Sequence, residues 1–62
     1  MLTFTSHGEF NDVRRNGAYL GTIAVGSKLP HVGVWQFFPI YGVGLTMAEL
    51  HEIAQKIAEL AL

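Results

Sequence analysis

The stretch Phe10-Asn11-Asp12-Val13-Arg14-Arg15-Asn16-Gly17-Ala18-Tyr19-Leu20-Gly21-Thr22-Ile23-Ala24-Val25 decides the fold. At its middle, Asn16-Gly17 is the strongest short-range hairpin signal. Both central residues of a type I′ turn need positive φ, which Asn and Gly tolerate. The turn joins a strand over 10–15 to a strand over 18–25 and makes the sheet antiparallel. Towards the C-terminus, Gly26-Ser27-Lys28-Leu29-Pro30 has the composition of a loop. His31–Phe38 then reads as another strand, stopped by Pro39. Towards the N-terminus, Leu2 and Phe4 alternate with Thr3 and Thr5, so 2–6 is a candidate additional strand.

The last third changes period. Thr46-Met47-Ala48-Glu49 spells a capping box, in which the Thr46 hydroxyl accepts from the Glu49 amide and the Glu49 carboxylate reaches back to the Thr46 amide. Met47, Leu50, Ile53, Ala54, Ile57, Leu60 and Ala61 then recur at spacings of three and four, one stripe of a helix over 46–61. Glu52 and Lys56 stand at i,i+4 in the favourable order. Gly42 and Gly44 mark the loop that enters this helix. The expected fold is α+β: a three- to four-stranded antiparallel meander with one C-terminal helix across a face, forming a single small domain over 1–62.

Size and composition bound the function. A chain of 62 residues supports one core, and a core of this size rarely yields more than roughly 3–5 kcal/mol. With no cysteine, disulfides, thiolate zinc sites and thiol catalysis fall away, and the remaining common staple is another chain. Half the residues are apolar and only 15% are charged, against about 25% in ordinary domains, so disorder is disfavoured and apolar surface is in surplus. No apolar run approaches a membrane span, and Met1 to Phe10 lacks the basic start and long apolar run of a signal peptide. The expected compartment is the cytoplasm.

Strict alternation along the strands gives two mixed faces. Tyr19, Gly21, Ile23 and Val25 oppose Leu20, Thr22 and Ala24, while Gly33, Trp35 and Phe37 oppose Val32, Val34, Gln36 and Phe38. One helix covers one side of a sheet, so the other side is expected to expose aromatic surface and to meet a partner, most simply a second copy. The alternative is a pleat displaced by one residue, with the aromatics inside. Tyr19, Trp35 and Phe37 are the expected partner-binding residues, with Arg14 and Arg15 at the rim, because aromatic and Arg side chains anchor protein interfaces. Leu50, Ile53, Ala54 and Ile57 are assigned to core or dimer packing.

The segments Asn16-Gly17-Ala18-Tyr19-Leu20-Gly21-Thr22-Ile23, Gly33-Val34-Trp35-Gln36-Phe37-Phe38-Pro39 and Leu45-Thr46-Met47-Ala48-Glu49-Leu50-His51-Glu52-Ile53-Ala54 resemble short accessory proteins of tailed bacteriophages and prophages. The shared outline is a hairpin around Asn-Gly, a strand with Trp, Phe and Pro, and a closing helix of L-T-x-x-E-L-x-x-I-A type. These motifs specify turns, core and a cap, so no active site is carried over. The resemblance implies proteins that bind host machinery, including anti-CRISPR-like inhibitors of host defence.

Catalytic chemistry finds little footing. His51-Glu52 lacks the second His of a zinc-protease motif, since Gln55 stands there. His7, His31 and His51 fall on different expected elements, so no metal site is expected. Ser6, Ser27, Asp12 and the histidines lack a nucleophile-elbow context. Gly42-Val43-Gly44 before the helix offers amides to an anion, but the favoured reading is backbone freedom in a tight connection, and Glu49 in the first turn competes for the same amides. The expectation is a non-catalytic, cofactor-free binding protein that self-associates as a homodimer. The alternative is a small DNA- or RNA-binding protein that stacks bases on the sheet. Charge opposes it: residues 1–45 carry a net +1 and the helix a net −2, a small footprint for phosphates.

Overall fold

A computed structural model describes residues 1–26 and 33–62. Its elements are β1 (Leu2–His7), β2 (Phe10–Arg15), β3 (Ala18–Val25), β4 (Trp35–Pro39) and α1 (Met47–Leu60). The strands form one four-stranded antiparallel sheet in the order β1-β2-β3-β4, with the helix on one face. This is the expected meander, and the candidate first strand is part of it.

Turn chemistry explains the two hairpins. Asn16 and Gly17 have φ of 50° and 84°, the paired positive values of a type I′ turn. The β1–β2 connection is equally short. Gly8, at φ 62°, is the first of two loop residues between the paired His7 and Phe10, the position where a type II′ turn takes Gly. β4 is shorter than the expected 31–38. Gly33 and Val34 precede it, and the remainder of that expectation, His31 and Val32, lies outside the described residues, as does the loop over 27–30. Pro39 closes β4 rather than following it. The Ile40 amide donates to the Leu20 carbonyl at 3.0 Å, so the alternation of the ladder turns the Pro39 nitrogen to the free edge, where no amide hydrogen is required.

The decisive irregularity lies in β3. Val13 pairs with Gly21 and Arg14 pairs with Tyr19, which leaves Leu20 as one extra residue, a β-bulge. The bulge resets the alternation. Leu20 joins Gly21 and Ile23 on the helix side, whereas Tyr19 joins Thr22 on the other. The strictly alternating assignment of β3 is therefore corrected below the bulge: Tyr19 does not share a face with Ile23. Gly21 makes the bulge possible, because its φ of 156° is rarely adopted by residues with a side chain. An added Cβ would meet the Phe38 carbonyl oxygen and lie 2.8 Å from Pro39 Cα.

Leu2, Val13, Leu20 and Ile23 from the sheet close on Ile53 from the helix. Phe4, Trp35, Phe37, Val43, Leu45, Ile57 and Leu60 pack around them, half-buried. The expected stripe divides: Ile53 and Ile57 meet the sheet, while Leu50 and Ala54 are exposed. Both halves of the capping box form, with Thr46 N–H donating to Glu49 Oε1 at 2.9 Å and Glu49 N–H donating to Thr46 Oγ1 at 3.1 Å.

Gly21→Ala is expected to add about 1–3 kcal/mol of overpacking to the backbone cost of its positive φ, so it should destabilise the fold more than a turn glycine replaced in open space. Gly17→Ala, where an added Cβ meets nothing within 4 Å, carries only the left-handed backbone cost of about 1–2 kcal/mol. Urea unfolding of the two variants checks the order; equal midpoints would refute the close-approach explanation.

Candidate protein-interaction surface

Register assigns each strand residue to a face. The face away from the helix carries Thr3, Thr5, His7, Phe10, Asp12, Arg14, Tyr19, Thr22, Ala24, Gln36 and Phe38. It is mostly polar, with Phe10 and Phe38 as half-exposed apolar members. A hydrogen-bonded network runs across its centre. His7 Nε2 stands 3.1 Å and Arg14 Nη1 3.7 Å from Asp12 Oδ2. Thr22 Oγ1 donates to Asp12 Oδ1 at 3.5 Å and also meets the Tyr19 hydroxyl. The Arg14 guanidinium lies 5.7 Å from the centre of the Tyr19 ring. The hydroxyl here contacts the carboxylate and not the imidazole, so the group order of a nucleophilic triad is missing.

The expected contact residues separate into three places. Tyr19 and Arg14 belong to this polar face. Trp35 pairs with Val25 and Phe37 with Ile23, so both aromatics lie on the helix side against the core. The expectation of an aromatic face standing away from the helix is corrected for these two residues. Arg15 alternates with Arg14 onto the helix side and reaches the start of α1. Its Nε and Nη2 donate to the two Glu49 carboxylate oxygens at 2.5 and 2.6 Å, and Nη2 also donates to the Gly44 carbonyl at 2.8 Å. The fork holds Glu49, only 7% exposed, at the turn where its negative charge also favours the helix dipole. Arg15 and then the Thr46 amide lower the Glu49 carboxyl from its ordinary 4.5 to about 2.

A second set of exposed apolar residues lies elsewhere. Ile40 (43%), Met47 (81%), Leu50 (46%) and the fully exposed Tyr41 lie in the link from β4 into the helix and in the first turns of α1. Four hydrogen bonds fix that link to one end of the sheet: Ile40 N–H to Leu20 O, Arg15 to the Gly44 carbonyl, and the two from Arg15 to Glu49. Met47 and Leu50, three residues apart, share one side of the helix. Met47 and Leu50 belong to the apolar stripe of the helix, whereas Tyr41 belongs to no periodic pattern in the sequence. The available signal was its position between Pro39-Ile40 and Gly42, where a turn offers an aromatic ring no sheet neighbour.

Among the described residues, no three His, Asp or Glu side chains converge as metal ligands, and no helix is long and apolar enough to cross a membrane. No protein-family model, curated protein or solved structure matches this chain.

Because folding lowers the Glu49 pKa, the stability it contributes is complete above pH 4.5 and is lost as pH falls towards 2. Denaturant midpoints measured from pH 6 to pH 2 are expected to fall through this window. Glu49→Gln should start lower and flatten the profile there; an unchanged slope would show that the Arg15 contact does not govern acid sensitivity.

Proposed function

We propose that the chain is a non-catalytic protein-binding module of the phage-accessory kind, acting in the cytoplasm of the infected cell as an inhibitor of a host factor. The observation that carries this reading is the exposed set Ile40, Tyr41, Met47 and Leu50 at one end of the sheet. Aromatic side chains and Met are enriched in the centres of protein interfaces, and a Tyr with no intramolecular cover is a ready anchor. Arg15 and Glu49 hold the underlying backbone in place, so the surface is presented preorganised, which lowers the ordering cost of association.

The resemblance to phage accessory proteins supplies the biological setting. Inhibition of a defence nuclease, as in anti-CRISPR proteins, is its concrete form. Steric blockade needs no reacting group, and the polar network of the opposite face supplies none in a reactive order. That face also suits nucleic acid poorly, because its one arginine, Arg14, is already shared between Asp12 and Tyr19.

Expression of the chain in cells whose RNA-guided nuclease targets a test phage is expected to restore plaque formation. The double variant Tyr41→Ser/Met47→Ser should lose that protection while its unfolding free energy changes by no more than about 0.5 kcal/mol, since exposed positions contribute little to the fold. Undiminished protection by the double variant would remove this surface from the mechanism. Salt-sensitive binding of labelled DNA by the wild-type chain would move the reading to nucleic acid.

A further inference from the structure

The two outer strands of the sheet are guarded very differently. β4 spans five residues, ends in Pro39 and faces the bulge of β3. β1 spans six residues, Leu-Thr-Phe-Thr-Ser-His, with no Lys, no Pro, no acidic residue and an unbroken register against β2. Proteins protect exposed edges with such charges, prolines and bulges, because an unguarded edge is a template for another strand.

The hydrogen-bonding phase of β1 is fixed at both ends. His7 and Phe10 close a two-residue hairpin, so His7, Thr5 and Thr3 direct their amides and carbonyls into β2. Leu2, Phe4 and Ser6 direct theirs outward. The Leu2 amide is taken by Glu52 Oε1 of the helix at 3.1 Å. Among the described residues, no side chain meets the outward groups of Phe4 and Ser6.

We infer that β1 is the seam of a homodimer, pairing antiparallel with β1 of a second copy about a two-fold axis at Thr5. This deepens the reading of the chain as a self-associating binding module by naming where the copies meet. In that register Phe4 of one copy exchanges both of its backbone bonds with Ser6 of the other, and the reciprocal pair does the same. The open groups of Phe4 and Ser6 are all satisfied, and the Leu2–Glu52 bond stays intact. A register centred on Phe4 would instead set Leu2 against Ser6 and force Glu52 to release its amide. On the face away from the helix, Thr5 meets Thr5 and Thr3 meets His7, so no like charges stand opposite and the central Thr pair is a favourable cross-strand match. The second copy is thus the occupant for which this edge is its own complement.

The absence of cysteine from the natural chain makes the seam directly testable. Thr5 lies at a non-hydrogen-bonded pair, where Cα atoms approach to about 4.5 Å, inside the range a disulfide spans. Thr5→Cys is therefore expected to cross-link under oxidised glutathione to twice the 6.8 kDa of one chain. Thr3→Cys and His7→Cys should each stay uncross-linked alone and cross-link when mixed. Ser6→Pro deletes only an outward amide, so it should keep the far-ultraviolet spectrum and raise the dimer dissociation constant more than about tenfold. Light scattering that finds a monomer at millimolar concentration would overturn the seam. So would a dimeric mass without cross-linking of Thr5→Cys, which places the contact elsewhere. Either failure leaves the Tyr41 surface to stand on the plaque assay, and loss of protection with an intact cross-link would reject that surface alone.

Discussion

The close approach of β4 to Gly21 governs the arrangement of everything else. Only a residue without Cβ allows the Phe38 carbonyl and the Pro39 backbone to come so near. The same residue tolerates the φ that lets Leu20 bulge out of the β2 ladder. Once Leu20 is extra, the side-chain phase of β3 is reset. Leu20 and Ile23 both reach the core, and Tyr19 and Thr22 both leave it. The sheet thereby gains one greasy side and one polar side from a strand whose unbroken alternation would have mixed the two. A bulge also increases local twist.

The helix is attached by contacts of two kinds. Ile53 supplies burial, a non-directional contribution of about 1.5–3 kcal/mol for a fully covered side chain. Arg15 and Glu49 supply direction. A fork from β2 grips the first turn of α1, and the same carboxylate closes the capping box on Thr46. Helix start and sheet end are thus locked by one group that satisfies a backbone amide and an arginine together. The lock also explains why the link between β4 and α1 can carry exposed apolar residues. Its backbone is held by polar bonds, so Ile40 and Tyr41 are not needed for burial.

Local chemistry was legible in the sequence, and non-local chemistry was not. Asn16-Gly17 and Thr46-x-x-Glu49 each satisfy their own backbone within four residues, so reading them requires no knowledge of the rest. Gly8-Glu9 carried the same kind of signal, a Gly leading a two-residue turn, though the strand before it was recognised only by alternation. The bulge left no such trace. Leu20-Gly21-Thr22 reads as ordinary strand, and the reason for the bulge, the approach of residues 37–39, lies some 17 positions further along. Arg15 stood beside Arg14 as a rim charge for the same reason: its partner is 34 residues away. The apolar surplus read from composition is real, but it is divided: Phe10, Tyr19 and Phe38 hold part of it on the sheet, and Ile40, Tyr41, Met47 and Leu50 hold the rest at the helix entrance. Periodicity ranks residues by face; it does not say that the first turn of a helix overhangs the sheet it packs on.

The proposed seam and the proposed contact surface occupy different edges, and this bears on how they would act together. Ile40 and Tyr41 follow directly from β4, while the seam is β1, on the opposite side of the sheet. Pairing two copies through β1 makes one sheet of eight strands and leaves both β4 edges outward, roughly 34 Å apart at a strand spacing of about 4.8 Å. Neither surface covers the other, so dimerisation does not compete with binding. Two Tyr41 surfaces on one rigid particle suit a target that offers two sites, or two subunits, at matching separation. Each apolar surface then needs only modest affinity, because the second contact becomes intramolecular and avidity exceeds that of a single contact. A chain too small to build a large interface alone would gain one by doubling.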